Sequence, residues 1–223
     1  MLAELLPLLL VGFGLGFMHA LDADHIMAVS ALSNQKPSFK KTLLHSGHWA
    51  LGHGGVLLMS GILLFGLGVS IPESLQQAAE IGVGLLLIAL GLLFFFQLRK
   101  DKLKLEMHRH GDVVHTHWHD NDTEHSSKHI HKPVFVGVLH GLAGSAPALA
   151  LIPAVSSGEF FSAMLYLILF STGVMLSMLA FGLGFAHLQR FLNKRYQQVF
   201  QLSRHLLAFS SICLGSFWLS QAI

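Results

Sequence analysis

Apolar residues along this chain come in long runs broken by short polar stretches. A helix needs roughly 20 apolar residues to cross a bilayer. Six runs reach that scale: Leu2–Leu32, Thr42–Val69, Ala78–Leu98, Pro133–Val155, Phe160–Leu188 and Leu202–Ser220. A polar interval, residues 99–132, separates the third run from the fourth. The pattern predicts an all-α membrane protein with six transmembrane helices. Residues 1–98 would form a first three-helix unit, 99–132 a cytoplasmic loop and 133–223 a second three-helix unit. Leu2–Gly16 has the apolar character of a signal-peptide core, but such a core follows a positively charged start. Here Glu4 lies ahead of most of the run and the first basic residue is Lys36, so the segment is expected to stay in the mature chain.

Composition agrees with a bilayer setting. Of the 223 residues 52% are hydrophobic and 12% charged, and the mean hydropathy is +0.59. A soluble domain carries about 25% charged residues. A single cysteine, Cys213, excludes a disulfide scaffold, and a formal charge of +2 speaks against nucleic acid as a partner. The basic residues set the orientation. Lys36, Lys40 and Lys41 lie between the first two spans. Arg99, Lys100, Lys102, Lys104, Arg109, Lys128 and Lys132 lie between the third and fourth, and Arg190, Lys194, Arg195 and Arg204 between the fifth and sixth. Positive charge marks the cytoplasmic side. Both termini are therefore expected outside a cytoplasmic (inner) membrane, with the long loop inside.

The two halves resemble each other. Gly16-Phe-Met-His19 matches Gly137-Val-Leu-His140 at an offset of 121 residues, Gly55-Val56 matches Gly173-Val174 at 118, and Leu90-Gly91 matches Leu214-Gly215 at 124. Three spans per half is an odd number, so the halves would insert as inverted repeats, an arrangement typical of secondary transporters with a midplane site where broken helices meet. Polar residues inside the first span, and glycines with Pro147 inside the fourth, predict that these two helices are broken. The four-residue spacing of Gly12, Gly16 and Ala20, and of Gly137 and Gly141, suits close helix packing.

Chemistry concentrates in His19-Ala-Leu-Asp22-Ala-Asp24-His25, four ionisable side chains in seven positions of an apolar span. Each charge at the bilayer centre costs about 2.5–3.5 kcal/mol on insertion scales, so such groups persist when paired, hydrated or bound to a cation. On a regular helix His19, Asp22 and His25 share an arc of roughly 120°. Asp24 then either points away, converges through a helix break, or orients a ligating histidine. The second span adds His45, His48 and His53, the last flanked by Gly52, Gly54 and Gly55. The fourth span offers His140 without an acid, with Ser145 where the repeat would place Asp24 at its nominal offset of 121. Imidazole with carboxylate suits nickel, cobalt, zinc or copper(II). The candidate metal residues are His19, Asp22, Asp24, His25, His48, His53 and His140, and no prosthetic group is expected. A second set, His108, His110, His115, His117, His119, His125, His129 and His131, lies in the polar loop among Asp112, Asp120, Asp122 and Glu124, the pattern of an accessory metal-binding tract.

These residues resemble a known family. His19-Ala-Leu-Asp22-Ala-Asp24-His25-Ile26 looks like the His-x4-Asp-His signature of the nickel/cobalt transporter family, and Leu51-Gly52-His53 resembles its second histidine motif. The whole chain looks like the shorter branch of urease-accessory-type transmembrane proteins. The resemblance implies a permease moving nickel, then cobalt, across the cytoplasmic membrane. It implies roles for His19, Asp24 and His25, extended to Asp22 and His53, and it allows cytoplasmic metallochaperones as partners. Longer members carry a further N-terminal span, and an acidic motif where this chain has Gly144-Ser145-Ala146. The His-rich loop is reminiscent of exporters, so import and export both stay open. Three other classes fit less of the sequence. An intramembrane metalloenzyme lacks a His-Glu-x-x-His motif here, a metal sensor would use the loop alone, and an organic-anion exporter calls for basic residues within the spans.

Overall fold

In this computed structural model the described residues are 2–33, 39–103, 109–110, 113–114, 131–143 and 159–222. Almost all of them are helical. Helix α1 covers Leu2–His19, α2 Ala23–Ser33 and α3 Phe39–Gly61, with a π-helical turn over Ile62–Gly66. Helix α4 covers Glu73–Leu103, α5 His131–Leu142, α6 Phe160–Arg195 and α7 Gln197–Ala222. Within the polar loop a two-residue strand Arg109–His110 (β1) pairs antiparallel with Val113–Val114 (β2).

Among the described residues three helical stretches are long and apolar enough to cross a membrane: Leu43–Gly66, Glu73–Arg99 and Phe160–Arg195. The pair Leu6–His19 and Ala23–Ser30, bent by 56°, makes a fourth if counted as one broken span. Helix α5 gives a shorter apolar stretch, Pro133–Leu142. The rest of that run, residues 144–158, lies outside the described residues, and so does the break expected at Pro147. Helix α7 has 26 residues, enough to span, but its Ser, Gln and His residues keep it below the apolarity of the other three.

The break in the first span has a local cause. After α1 the chain tightens to three-residue bonds, Leu21 N–H to Met18 O and Asp22 N–H to His19 O. Asp22 then stands just ahead of α2, where its carbonyl accepts from Ile26 N–H, and Asp24 lies in the first turn. Acids are favoured at a helix start, where free N–H groups and the positive end of the dipole lie. The Asp-Ala-Asp sequence therefore starts a new helix inside an apolar run. At the far end of α3, Gly68 takes φ +68° and its N–H closes onto Leu64 O, a left-handed ending that glycine adopts without steric cost.

Several basic residues expected in a loop sit on helices instead. Arg190, Lys194 and Arg195 occupy the last turns of α6. Arg204 lies two turns into α7, buried, with its guanidinium over the rings of Phe94 and Phe200. Only the hydrocarbon-core portion of a span has to be apolar. Long basic side chains extend the helix beyond it and cover apolar surface with their stems.

Helix α1 lies along α6, α3 along both α5 and α6, and α4 along α7. Glycines set the closest crossings. A Cβ on Gly16 would strike the Phe170 backbone, and one on Gly137 would strike Trp49. These two contacts are the same contact displaced by 121 residues on each side. Gly52 against Val134 and Val138 corresponds likewise to Gly173 against Phe13 and Phe17. Gly91 meets Ala208 and Ile212 while Gly215 meets Gly84 and Ile88, a pair related by 124 residues. The partner of Gly173 is thus Gly52, not the Gly55 that local likeness suggests. Gly55 meets nothing within 4 Å.

Candidate metal centre

Three segments deliver histidines to one buried point. His19 ends α1, His25 lies in the first turns of α2 and His53 sits midway along α3. Each offers a ring nitrogen, and the three lie within 4.8 Å of one another. Their relative exposures are 2%, 1% and 0%. The ring centroids stand 4.7 Å apart for His19–His25, 5.5 Å for His19–His53 and 5.4 Å for His25–His53. The helix break makes this convergence possible, because it places His19 and His25 on two differently directed axes. His53 reaches the group because Gly52 lets α3 approach α5 at Val134, and Gly141 on α5 lies against the His53 backbone. His19 also stands at the carbonyl end of α1, the negative end of that helix's dipole, which favours a cation.

Hydrogen bonds fix two ring orientations. Asp24 Oδ1 accepts from His25 Nδ1 at 3.0 Å, and Val136 O accepts from His140 Nδ1 at 2.9 Å. In both rings the neutral tautomer then leaves Nε2 as a lone pair. Neither Nε2 has a hydrogen-bond partner among the described residues, nor does either ring nitrogen of His53. Asp22 Oδ2 lies 2.7 Å from His19 Nδ1 without the alignment of a hydrogen bond, and its side chain is 45% exposed. A buried nitrogen without a partner costs free energy. Several converging on one point form a donor set of the imidazole type that suits nickel, cobalt or zinc.

The structure sorts the sequence candidates. His19, His25 and His53 come together, with Asp24 hydrogen-bonded behind His25. His140 packs edge-on against His25 with centroids 5.2 Å apart, and its Nε2 lies 3.9 Å from Asp24 Oδ2. Asp22 joins from the exposed side of His19. His48 is not one of the three converging histidines, and its Nδ1 is bonded to Leu44 O of its own helix at 2.6 Å. Six of the eight loop histidines, His108, His115, His117, His119, His125 and His129, lie outside the described residues. His110 falls in β1 and His131 begins α5. Sequence reasoning missed the aromatic walls. Trp49 packs on His25 and His140 at 5.1 and 5.3 Å, and Phe170 packs on His19 at 5.8 Å. Trp49 and Phe170 are again 121 residues apart, like His140 and His19, so the repeat offset was the signal that could have found them.

Comparison with known proteins gives the chain its relatives. Residues 8–212 match the family described as the cytochrome c biogenesis protein transmembrane region. A urease accessory protein, UreH, from Bacillus sp. strain TB-90 is 31% identical over 192 residues, covering 80% of this chain and 75% of that one. A high-affinity nickel transport protein of Cupriavidus necator is 32% identical over 89 residues, 39% of this chain and 25% of its own length. A protein of Methanocaldococcus jannaschii named for nickel/cobalt efflux is 26% identical over 201 residues, 87% of this chain and 82% of its own. No solved structure matches. The chain belongs to the family of the cytochrome c biogenesis protein transmembrane region, and it is a member of the nickel/cobalt transporter family in its short urease-accessory-type branch.

Proposed function

We propose that this protein is a six-span permease of the cytoplasmic membrane that moves a divalent transition metal, nickel first and cobalt second. The ion is held by His19, His25 and His53, with Asp24 orienting His25 and with Asp22 and His140 flanking. The observation that carries this reading is the convergence of three buried imidazoles from three separate segments within 4.8 Å. Two relatives named for nickel or nickel/cobalt movement support the choice of cargo. The recurrence of glycine crossings at offsets of 121 and 124 residues supports two inverted halves, residues 1–98 and 133–223. In this reading both termini face outward. The His-rich loop at 99–132 faces the cytoplasm, where it collects metal and meets metallochaperones. A membrane redox relay would need a pair of thiols, and the chain has Cys213 alone.

Export through the same site is the second reading. It is favoured by the breadth of the match to the efflux-named relative, 87% of this chain. One experiment separates the two directions. Radiolabelled nickel is measured in cells lacking their own nickel importers and exporters, with the intact chain or with His19→Ala and Asp24→Asn variants at equal expression. Accumulation above the empty control, lost in both variants, is the result expected of an importer. Depletion below the control, lost in both, reverses the direction and keeps the site. Unchanged nickel content, with the same result when radiolabelled cobalt replaces nickel in the assay, overturns the permease.

A further inference from the structure

The site described above uses the ring of His25 together with those of His19 and His53. A second pair of donors lies beside His25, and we infer that Asp24 and His140 form a second cation position next to the three-histidine one, so that the ion crosses in two steps rather than resting at one point. This inference rests on the proposed function and deepens it.

The argument begins with valence. Asp24 has Oδ1 engaged by His25 Nδ1 at 3.0 Å, and its other oxygen, Oδ2, is the one nearer His140. His140 has Nδ1 committed to Val136 O, so in its neutral form Nε2 can only accept. These two acceptor atoms face each other across 3.9 Å, with Asp24 6% and His140 2% exposed. Two acceptors cannot hydrogen-bond to one another, and burying them face to face is unfavourable unless a positive charge lies between. Metal–nitrogen and metal–oxygen bonds of this kind run about 2.0–2.2 Å, so two donors on one ion stand at most about 4.3 Å apart. The observed separation lies inside that limit and beyond hydrogen-bond range.

The placement has a counterpart. His140 stands 121 residues after His19, and Trp49 packs on it as Phe170 packs on His19. The second half thus supplies its own histidine in the matching place, and takes its acid from the first half through Asp24. Asp24 reaches both positions, directly through Oδ2 and indirectly through the ring of His25. An ion handed from the three histidines to Asp24 and His140 would move past His25 from the first half of the chain to the second.

The test counts ions. The full chain is prepared with the eight loop histidines, His108 through His131, replaced by Asn, so that no loop imidazole contributes to the count. Bound Co2+ per chain is measured by equilibrium dialysis, and its visible absorption is recorded. The expected result is two Co2+ per chain, falling to one in His140→Gln with the bands of the three-histidine position retained. His53→Ala should instead remove those bands and keep the other ion. One Co2+ per chain before any membrane-site substitution, abolished by His53→Ala and kept in His140→Gln, overturns the second position and leaves the proposed function standing. That result would assign a proton, not a metal, to the gap between Asp24 and His140. No Co2+ bound at all overturns both. The count in the unsubstituted membrane site decides the matter even where a variant fails to fold.

Discussion

The two halves of this chain share a frame and differ in chemistry. The first half crosses the second through Gly16 at Phe170 and Gly173 at Phe13, and the second returns the same crossings through Gly137 at Trp49 and Gly52 at Val134. The polar residues do not follow. Where the first half has His19, the second has His140, but at the same offset Asp24 and His25 become Ser145 and Ala146, and His53 becomes Val174. The glycine crossings recur in both halves, whereas the three converging histidines all come from the first. Packing and binding should therefore respond differently when corresponding positions are changed.

The sharpest contrast lies at His53 and Val174. His53→Ala is expected to bring nickel content in cells to that of the empty vector, because it removes one of three donors from a buried set. Val174→Ala at the corresponding position should keep the transport signal, and its loss would show that the enclosure itself, not the imidazole, had been tested. Asp24 comes next. Its carboxylate orients His25 from behind, and loss of such a partner weakens metal affinity about 10–100-fold. Asp24→Asn should show a drop of that order in Co2+ titrations, with Ser145→Ala unchanged. The frame predicts equality instead. Gly16→Ala and Gly137→Ala each press a methyl group into facing backbone, and overpacking of this kind costs about 1–3 kcal/mol. Unfolding in detergent should show similar losses for the two, whereas a large effect in only one would break the correspondence. The smallest effect belongs to His48, which lies on α3 outside the group of three converging histidines. His48→Ala should leave transport unchanged and shift stability by about 0.5 kcal/mol or less.

Much of this was legible in the sequence, and the failures are instructive. The apolar runs located the helical stretches among the described residues, of which three, or four with the bent pair, are long and apolar enough to cross a membrane. The Asp-Ala-Asp interruption foretold the break after His19, because acids start helices. Helix ends were less legible: α6 runs on to Arg195 and α7 carries Arg204 well inside, since basic ends stay helical outside the apolar core. Within the site, spacing placed His19 and His25 together but could not choose between His48 and His53. Both lie on α3, and tertiary packing at Gly52 and Gly141 selects His53. Trp49 and Phe170 read as ordinary apolar residues until their contacts show them walling the histidines. The repeat was visible at Gly16 and Gly137, yet Gly173 was matched to Gly55 rather than Gly52, because a two-residue likeness outweighed a constant offset.

The central claim is that three buried imidazoles hold the transported ion. X-ray absorption at the nickel edge tests it most directly, on the chain with its eight loop histidines replaced by Asn. The account predicts nickel bound with the multiple-scattering signature of about three imidazoles at the principal site, reduced by one in His53→Ala. Nickel bound without imidazole scattering, or an imidazole signal indifferent to His53, would contradict it.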